Sequence, residues 1–178
     1  MIETLISSKT RIKLLLKFFL NSNAKSYLRN LQSEFGESTN AIRVELNRFE
    51  DAGMLSSEIE GNKKFFQANT QHPLFKEVHN IVLKYVGLDQ IIEFVVKGLG
   101  EVRRVYLVGD FSRGLDSSIV DLIFIGNIDQ RYLIELIEKA EPMIERKIRY
   151  LIYQEEEFTL DLLAAHSPSP LLLWQRDR

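Results

Sequence analysis

Asparagine and arginine side chains recur on one face of a predicted helix that Ser38 or Thr39 caps and that ends at Gly53. The four side chains suited to contact bases are Asn40, Arg43, Asn47 and Arg48. The opposite face carries the apolar residues Ile42, Leu46 and Phe49. Asparagine can pair with adenine and arginine with guanine, each through two hydrogen bonds. Ser38 and Thr39 stand at the helix start, where protein groups commonly meet phosphates. The pattern therefore favours contact with double-stranded DNA.

A predicted hairpin follows this helix. Two alternating runs, Leu55–Ile59 and Lys63–Gln67, flank the turn Glu60-Gly61-Asn62, and Gly-Asn between such runs is a hairpin signal. The hairpin residues that could reach a phosphate or the minor groove are Asn62, Lys63 and Lys64. The alternative is that these polar residues only solvate an amphipathic helix and a surface hairpin. Glu45 shows that the helix is not purely cationic.

A second set of residues concerns metal chemistry. Carboxylates at alternate positions of a strand point the same way, so two of them can hold divalent cations. The predicted strand Ile119–Ile125 carries one carboxylate, Asp121, with none at an alternate position of the strand. A lone carboxylate cannot hold two metal ions. We therefore predict no catalytic residue, no metal ligand and no cofactor.

Two interpretations of Asp121 stay open. It is either a polar strand residue satisfied by the backbone, by Arg113 or by Arg149, or part of a rebuilt site. The rebuilt site would combine three carboxylates around one loop: Asp110, Asp116 and Asp121.

Periodicity predicts the elements that position these residues. The other predicted helices are one capped by Ser8, Tyr27–Phe35, Pro73 to Gly87, Leu88–Leu99, Asp129 to about Ala140, and Glu155–Ala165. In Leu88–Leu99, the residues expected to face inward are Ile91, Ile92, Val95 and Val96. Pro142 is expected to disturb the end of the helix that Asp129 starts. The predicted strands are Val102–Val108, Ile119–Ile125, Ile148–Tyr153 and Leu171–Trp174, with a polar loop over Gly109–Ser118. Three helices and a hairpin form a helix-turn-helix with a wing. The fold class is therefore α+β, with a small α/β domain and a mixed sheet following the winged helix.

Five segments of the first part resemble the ArsR-like winged-helix family, over about residues 5–87. The first two are Ser8-Lys9-Thr10-Arg11, which precedes an apolar helix, and Tyr27-Leu28-Arg29-Asn30-Leu31. The other three are Leu46 to Leu55, Glu60 to Asn69, and His72-Pro73-Leu74-Phe75. The resemblance implies a winged-helix fold, commonly dimeric DNA binding and transcriptional control. Many members of that family sense metals through cysteine thiolates, a mode that is not expected here because the chain has no cysteine.

The segments Val105–Gly114 and Ser118–Gly126 resemble the polymerase-β-like nucleotidyltransferase family, over about residues 88–160. That family has a Gly-Ser turn, a following Arg-Gly loop and a strand opening with Asp-x-Asp, whose carboxylates hold two magnesium ions. The matching residues here are Gly109, Asp110 at the serine position, Ser112 and Arg113 in the loop, Ile119 and Asp121 at the paired carboxylates, and Arg149 at a later carboxylate. The resemblance therefore implies a degenerate site, in which Asp110 would repel a triphosphate.

Composition limits the function classes. The chain has 178 residues, a net charge of −2, three histidines and no cysteine, which excludes a disulfide framework, a thiolate zinc site and a thiol nucleophile. The longest apolar stretch, Leu14–Leu20, contains Lys17 and is shorter than the roughly 20 residues that a membrane span needs. We expect a cytoplasmic protein that does not insert into membranes.

We expect three parts: a winged-helix DNA-binding domain over residues 1–72, a linking and dimerisation helix over 73–87, and a nucleotidyltransferase-like domain over 88–178. The expected function is a homodimeric transcriptional regulator on double-stranded DNA. Its last domain would bind a small molecule or nucleotide, bind a partner protein, or support the dimer. The alternatives are an active nucleotidyltransferase directed to its target by the winged helix, and a module that only binds protein.

Overall fold

The structure, a computed structural model, describes Thr4, residues 6–167 and residues 170–176, without the side chains of residues 95–97. The chain divides into two compact units, Met1–Val82 and Leu83–Arg178. The expectation that Val95 and Val96 face inward lies outside the described side chains. Within the described ranges, each helix is too short or too polar to cross a membrane.

The first unit starts with three helical segments. Helix α1 spans Lys9–Leu15 and continues as a π-helical stretch, Leu16–Leu20. Helix α2 spans Leu28–Phe35 and ends at Gly36, and α3 spans Thr39–Asp51. Ser8 and Ser38 cap α1 and α3 by accepting hydrogen bonds from the backbone N–H three residues on. The predicted caps and helix bounds are therefore confirmed within a residue or two.

A three-stranded antiparallel sheet completes this unit, in the order β1-β3-β2. Strand β1 is Ser26–Tyr27, β2 is Leu55–Glu60 and β3 is Lys63–Ala68. Strands β2 and β3 pair from Leu55 opposite Ala68 to Glu60 opposite Lys63, which confirms the predicted hairpin. Gly61 turns the chain with a φ of +61°, a conformation that glycine adopts without strain.

The core of the first unit forms around the apolar stretch of α1. Residues 14–16 and 18–20 are all buried, and the Phe19 ring lies 6.1 Å from that of Phe49 and 5.8 Å from that of Phe75. Phe19 and Leu15 therefore belong to the core of this unit. Lys17, which interrupts the stretch, is buried and pairs with Glu34 at 2.8 Å.

A buried carboxylate ties α1 to α3. Glu45 is 5% exposed, and it accepts hydrogen bonds from Arg11 Nε at 2.8 Å, from Arg48 Nη1 at 3.0 Å and from Ser8 Oγ at 3.2 Å. Burial alone would raise the pKa of Glu45, but the hydrogen bond and charge of Arg11 outweigh it and hold that pKa below its ordinary value. The ionised carboxylate therefore stabilises the contact between these two helices.

Replacing Arg11 by methionine tests this network. Two charge-assisted hydrogen bonds are lost while Arg48 still faces Glu45, so we expect the free energy of unfolding at pH 7 to fall by about 1–2 kcal/mol. Because the pKa of Glu45 is lowered by folding, the deficit should be fully present above the unfolded-state pKa and should shrink as the pH falls through the folded-state value. Urea unfolding followed by circular dichroism between pH 7 and pH 3 measures it, with Glu45→Gln as the variant that cannot titrate. A deficit independent of pH would contradict this account.

The second unit is built on a four-stranded mixed sheet in the order β6-β5-β4-β7. Its strands are Gly100–Val108 (β4), Ile119–Ile128 (β5), Lys147–Tyr153 (β6) and Leu171–Gln175 (β7). Strand β4 pairs antiparallel with β5 and with β7, whereas β5 and β6 are parallel. The mixed sheet and its four strands are as the sequence predicts.

Helices cover the sheet on both faces. Helix α4 (Phe75–Val86) crosses the division between the units, and α5 (Leu88–Gly98) follows it. One face of the sheet, with Leu122 and Phe124, lies against α5 and α7 (Gln130–Ile144). The other face buries Val108, Ile123 and Ile125 against Leu163 of α8 (Leu160–His166).

Three predictions of local structure need correction. Helix α7 includes Pro142 and continues to Ile144, because a proline near the end removes few helical hydrogen bonds. The helix expected over Glu155–Ala165 begins only at Leu160, where Thr159 caps it, and residues 155–157 form a turn. The predicted polar loop starts with a four-residue helix, α6 (Gly109–Ser112).

Candidate functional site

A groove of about 460 Å³ lies on the first unit, between the start of α2, the exposed face of α3 and the β2–β3 hairpin. Five of the residues predicted to contact DNA line it: Arg43, Asn47, Asn62, Lys63 and Lys64. Folding therefore brings the predicted helix face and the predicted hairpin residues to one concave surface.

The wall and floor of the groove include residues for which the sequence predicted no role. Leu28, Leu46 and Phe66 supply apolar surface, and Tyr27 and Arg29 complete the side formed by α2. Lys63 Nζ lies 4.5 Å from the centre of the Tyr27 ring, a cation–π contact that holds the ammonium without neutralising it. Tyr27 and Arg29 belong to a segment quoted above only for its family resemblance.

Lys64 is held differently from Lys63. Its Nζ lies 2.7 Å from Glu50 Oε2 on α3, and Ser57 Oγ donates to the other carboxylate oxygen. The hydrogen bonds from Lys64 and Ser57 lower the pKa of Glu50 below its ordinary value. This ion pair fixes the hairpin against the end of α3, and it partly neutralises the lysine.

Four residues predicted to contact DNA lie outside the lining of the groove. Ser38 Oγ accepts a hydrogen bond from Ala41 N and so caps α3, and Thr39 and Asn40 follow it on the first turn. Arg48 pairs with Glu45 at 3.0 Å instead of facing the groove. Because a buried carboxylate holds it, Arg48 offers less free charge than Arg43.

The second unit places Asp121 directly beside Arg149. The parallel pairing of β5 and β6 sets the Cα atoms of these two residues opposite each other. Arg149 donates to both carboxylate oxygens, from Nε at 2.5 Å and from Nη2 at 3.0 Å. The hydrogen bond and charge of Asp121 raise the pKa of the Arg149 guanidinium above its ordinary value. The structure thus selects the interpretation in which Arg149 satisfies Asp121.

The other two carboxylates of the proposed rebuilt site bind different cations. Arg113 Nη2 lies 2.5 Å from Asp110, and Arg146 Nη1 lies 3.0 Å from Asp116. Each of the three carboxylates therefore forms an ion pair with a different arginine.

The residues present do not fit a pair of magnesium ions. Ile119, half-buried at the start of β5, offers no oxygen, and both oxygens of Asp121 already accept hydrogen bonds from Arg149. Lys147 stands opposite Ile119 on β6, two residues before Arg149, and its Nζ pairs with Glu141 at 2.7 Å. In the part of the chain that is described, no three histidine, aspartate or glutamate side chains are grouped to hold a metal.

The loop after β4 is used for internal contacts. Ser112 is fully buried, and its hydroxyl lies 2.9 Å from the Gly109 carbonyl and 3.0 Å from the Ser167 hydroxyl. Gly109 has a φ of +69°, and a Cβ there would overlap the Asp121 carboxylate. Glycine at position 109 therefore permits close packing between the loop and β5.

A shallow cavity of about 270 Å³ opens beside the Asp121–Arg149 pair. It is lined partly by Val108, Leu151 and His166, and the His166 Nε2 lies 2.8 Å from the Tyr153 hydroxyl. His166 is the last residue of α8. No local pattern links positions 153 and 166, because only the packing of α8 on β6 brings them together.

The crowding at Gly109 gives a testable consequence. Gly109→Ala should lower the free energy of unfolding by about 3 kcal/mol, through a positive φ and the overlap with Asp121. In an Asp121→Ala background the overlap is relieved, so the same substitution should cost only about 1–2 kcal/mol. Urea unfolding followed by the fluorescence of Trp174, which lies in β7, measures both penalties. Equal penalties in the two backgrounds would show that Asp121 does not require the glycine.

No family model and no curated protein matches the sequence. Among solved structures, a mutant of the MntA–HpeT toxin–antitoxin complex is similar with a TM-score of 0.39 and 15% identity, over 50% of this chain and 73% of that chain. A toxin–antitoxin complex with AMP-PNP gives a TM-score of 0.39 and 16% identity, over 50% and 73%. The tri-AMPylated Shewanella oneidensis HEPN toxin with its MNT antitoxin gives 0.36 and 15%, over 51% and 71%. These similarities concern the arrangement of about half of the chain and assign no residue roles.

Proposed function

We propose that this protein is a DNA-binding transcriptional regulator with a winged-helix first unit and a nucleotidyltransferase-like second unit that no longer performs catalysis. The observation that carries the proposal is the groove in which Arg43, Asn47 and the hairpin residues Asn62, Lys63 and Lys64 lie together. A helix enters the major groove while a hairpin contacts the adjacent backbone, so the two elements act on one stretch of duplex.

The charge distribution around the groove supports this function. Arg43 and Asn47 are exposed on α3, opposite the buried residues Ile42 and Leu46. Among the described residues no carboxylate pairs with Arg43, so its guanidinium is free to contact a guanine. Lys63, held over Tyr27, adds a charge on the hairpin side. Such an arrangement combines base contacts from the helix with phosphate contacts from the hairpin.

We further propose that the regulator binds as a homodimer. One groove contacts one half-site, and a two-fold axis places two grooves on a palindromic duplex. The second unit, with its stable sheet, then serves to bind a ligand or a partner, or to support the dimer.

Base contact by α3 is tested on a duplex selected from random sequences by the full chain. Arg43→Ala and Asn47→Ala should each weaken binding to the selected duplex about tenfold or more, because each removes a two-hydrogen-bond contact. Lys76→Ala, which removes an exposed charge of the same unit outside the groove, is the matched control. Fluorescence anisotropy measures the affinities, and circular dichroism checks folding. No duplex binding by the unchanged chain at low salt would overturn the proposal in favour of a protein-binding module.

The absence of catalysis is tested with nucleotide and metal. Isothermal titration should detect no magnesium-dependent binding of ATP, because Arg149 occupies the Asp121 carboxylate and residue 119 is isoleucine. The double variant Ile119→Asp/Arg149→Asp places three carboxylates on β5 and β6 and should gain Mn²⁺ binding, while Arg149→Met alone should not. Tight magnesium-dependent ATP binding together with label transfer by the unchanged chain would establish an active nucleotidyltransferase instead.

A further inference from the structure

We propose that Arg29, at the start of α2, is a further phosphate-contacting residue of the groove and fixes the register of the bound duplex without reading its sequence. This inference rests on the DNA-binding function proposed above. Arg29 is exposed and lines the groove at the start of α2. A phosphodiester backbone is the ligand chemistry that fits a free guanidinium at that position.

The guanidinium of Arg29 is unpaired within the described part of the chain. Across the described residues, no carboxylate lies within ion-pair distance of its guanidinium, in contrast to Arg11, Arg48 and Lys64. The first turn of α2 carries no acidic residue either. A cation in the first turn of a helix meets the positive end of the helix dipole, which disfavours it in the free protein. An external anion would relieve that cost.

The cations near Arg29 differ in whether a carboxylate holds them. Arg48 is held by Glu45, and Lys64 is held by Glu50 at 2.7 Å. Lys63 keeps its charge over the Tyr27 ring. The groove therefore has one uncompensated cation on each of its three elements: Arg29 on α2, Arg43 on α3 and Lys63 on β3.

Within this set, Arg29 is the cation placed to contact the phosphate backbone. Arg43 shares α3 with Asn47, and these two side chains face the bases in the proposed complex. Arg29 stands on α2, next to Leu28, whose apolar side chain lines the groove. A guanidinium beside an apolar surface matches a phosphate and its adjoining sugar. Its contribution to affinity should therefore be the same on every duplex sequence.

The experiment measures the binding of the full-length Arg29→Ala variant to the selected duplex and to a scrambled duplex at several salt concentrations. One phosphate contact contributes about 0.9 to the slope of log K against log salt concentration. We expect Arg29→Ala to reduce that slope by about 0.9, to weaken binding to both duplexes roughly five- to tenfold at 0.1 M salt, and to leave their affinity ratio unchanged. Arg29→Lys should keep the slope, and Lys76→Ala is the control for a lost charge.

The two proposals fail in different ways. If the unchanged chain binds duplex and Arg43→Ala weakens it, while Arg29→Ala leaves both slope and affinity unchanged, only the assignment of Arg29 is overturned. A changed affinity ratio between the two duplexes with an unchanged slope would also overturn it, since Arg29 would then contact a base. If the unchanged chain does not bind duplex at low salt, the DNA-binding function itself fails.

Discussion

The Asp121–Arg149 ion pair determines what the second unit can do. It forms because β5 and β6 run parallel with these two residues opposite each other, so an arginine lies beside the only carboxylate on that part of β5. Both carboxylate oxygens accept hydrogen bonds from the guanidinium, and the side chain of Asp121 is only 15% exposed. A cation built into the protein thus takes the oxygens that a metal ion would need. Gly109 packs against the same carboxylate, so the loop after β4 depends on this pair as well.

Ion pairing also determines which charges of the first unit are available to a ligand. Glu45 and Glu50 both belong to α3, yet they hold cations from other parts of the unit. Glu45 pairs with Arg11 and Arg48, and Glu50 pairs with Lys64. A count of basic residues would treat these cations as equal to Arg43. Their partners show that they stabilise the arrangement of α1, α3 and the hairpin, whereas Arg43 projects from α3 with no carboxylate partner among the described residues.

The pairing of carboxylates with cations therefore has different consequences in the two units. In the second unit the pairing of carboxylates with arginines extends over Asp110, Asp116 and Asp121, and it favours a structural role for this surface. In the first unit the pairing is incomplete along one groove. An uncompensated cation in a concave, partly apolar surface favours binding of an anion, because the anion can pair with it without breaking an ion pair inside the protein. This charge distribution supports the DNA-binding function proposed for the first unit.

The sequence alone predicted most of the local elements and showed that β5 carries a single carboxylate, Asp121. Caps at Ser8, Ser38 and Asp129 and the turn at Gly61 depend on neighbouring residues, so their positions could be predicted. Only the tertiary structure decided that Arg149 satisfies Asp121, that Arg48 turns to Glu45 and that Tyr27 and Arg29 border the groove. These contacts join elements far apart in the chain. Strand register and helix packing set them, and no local periodicity encodes either.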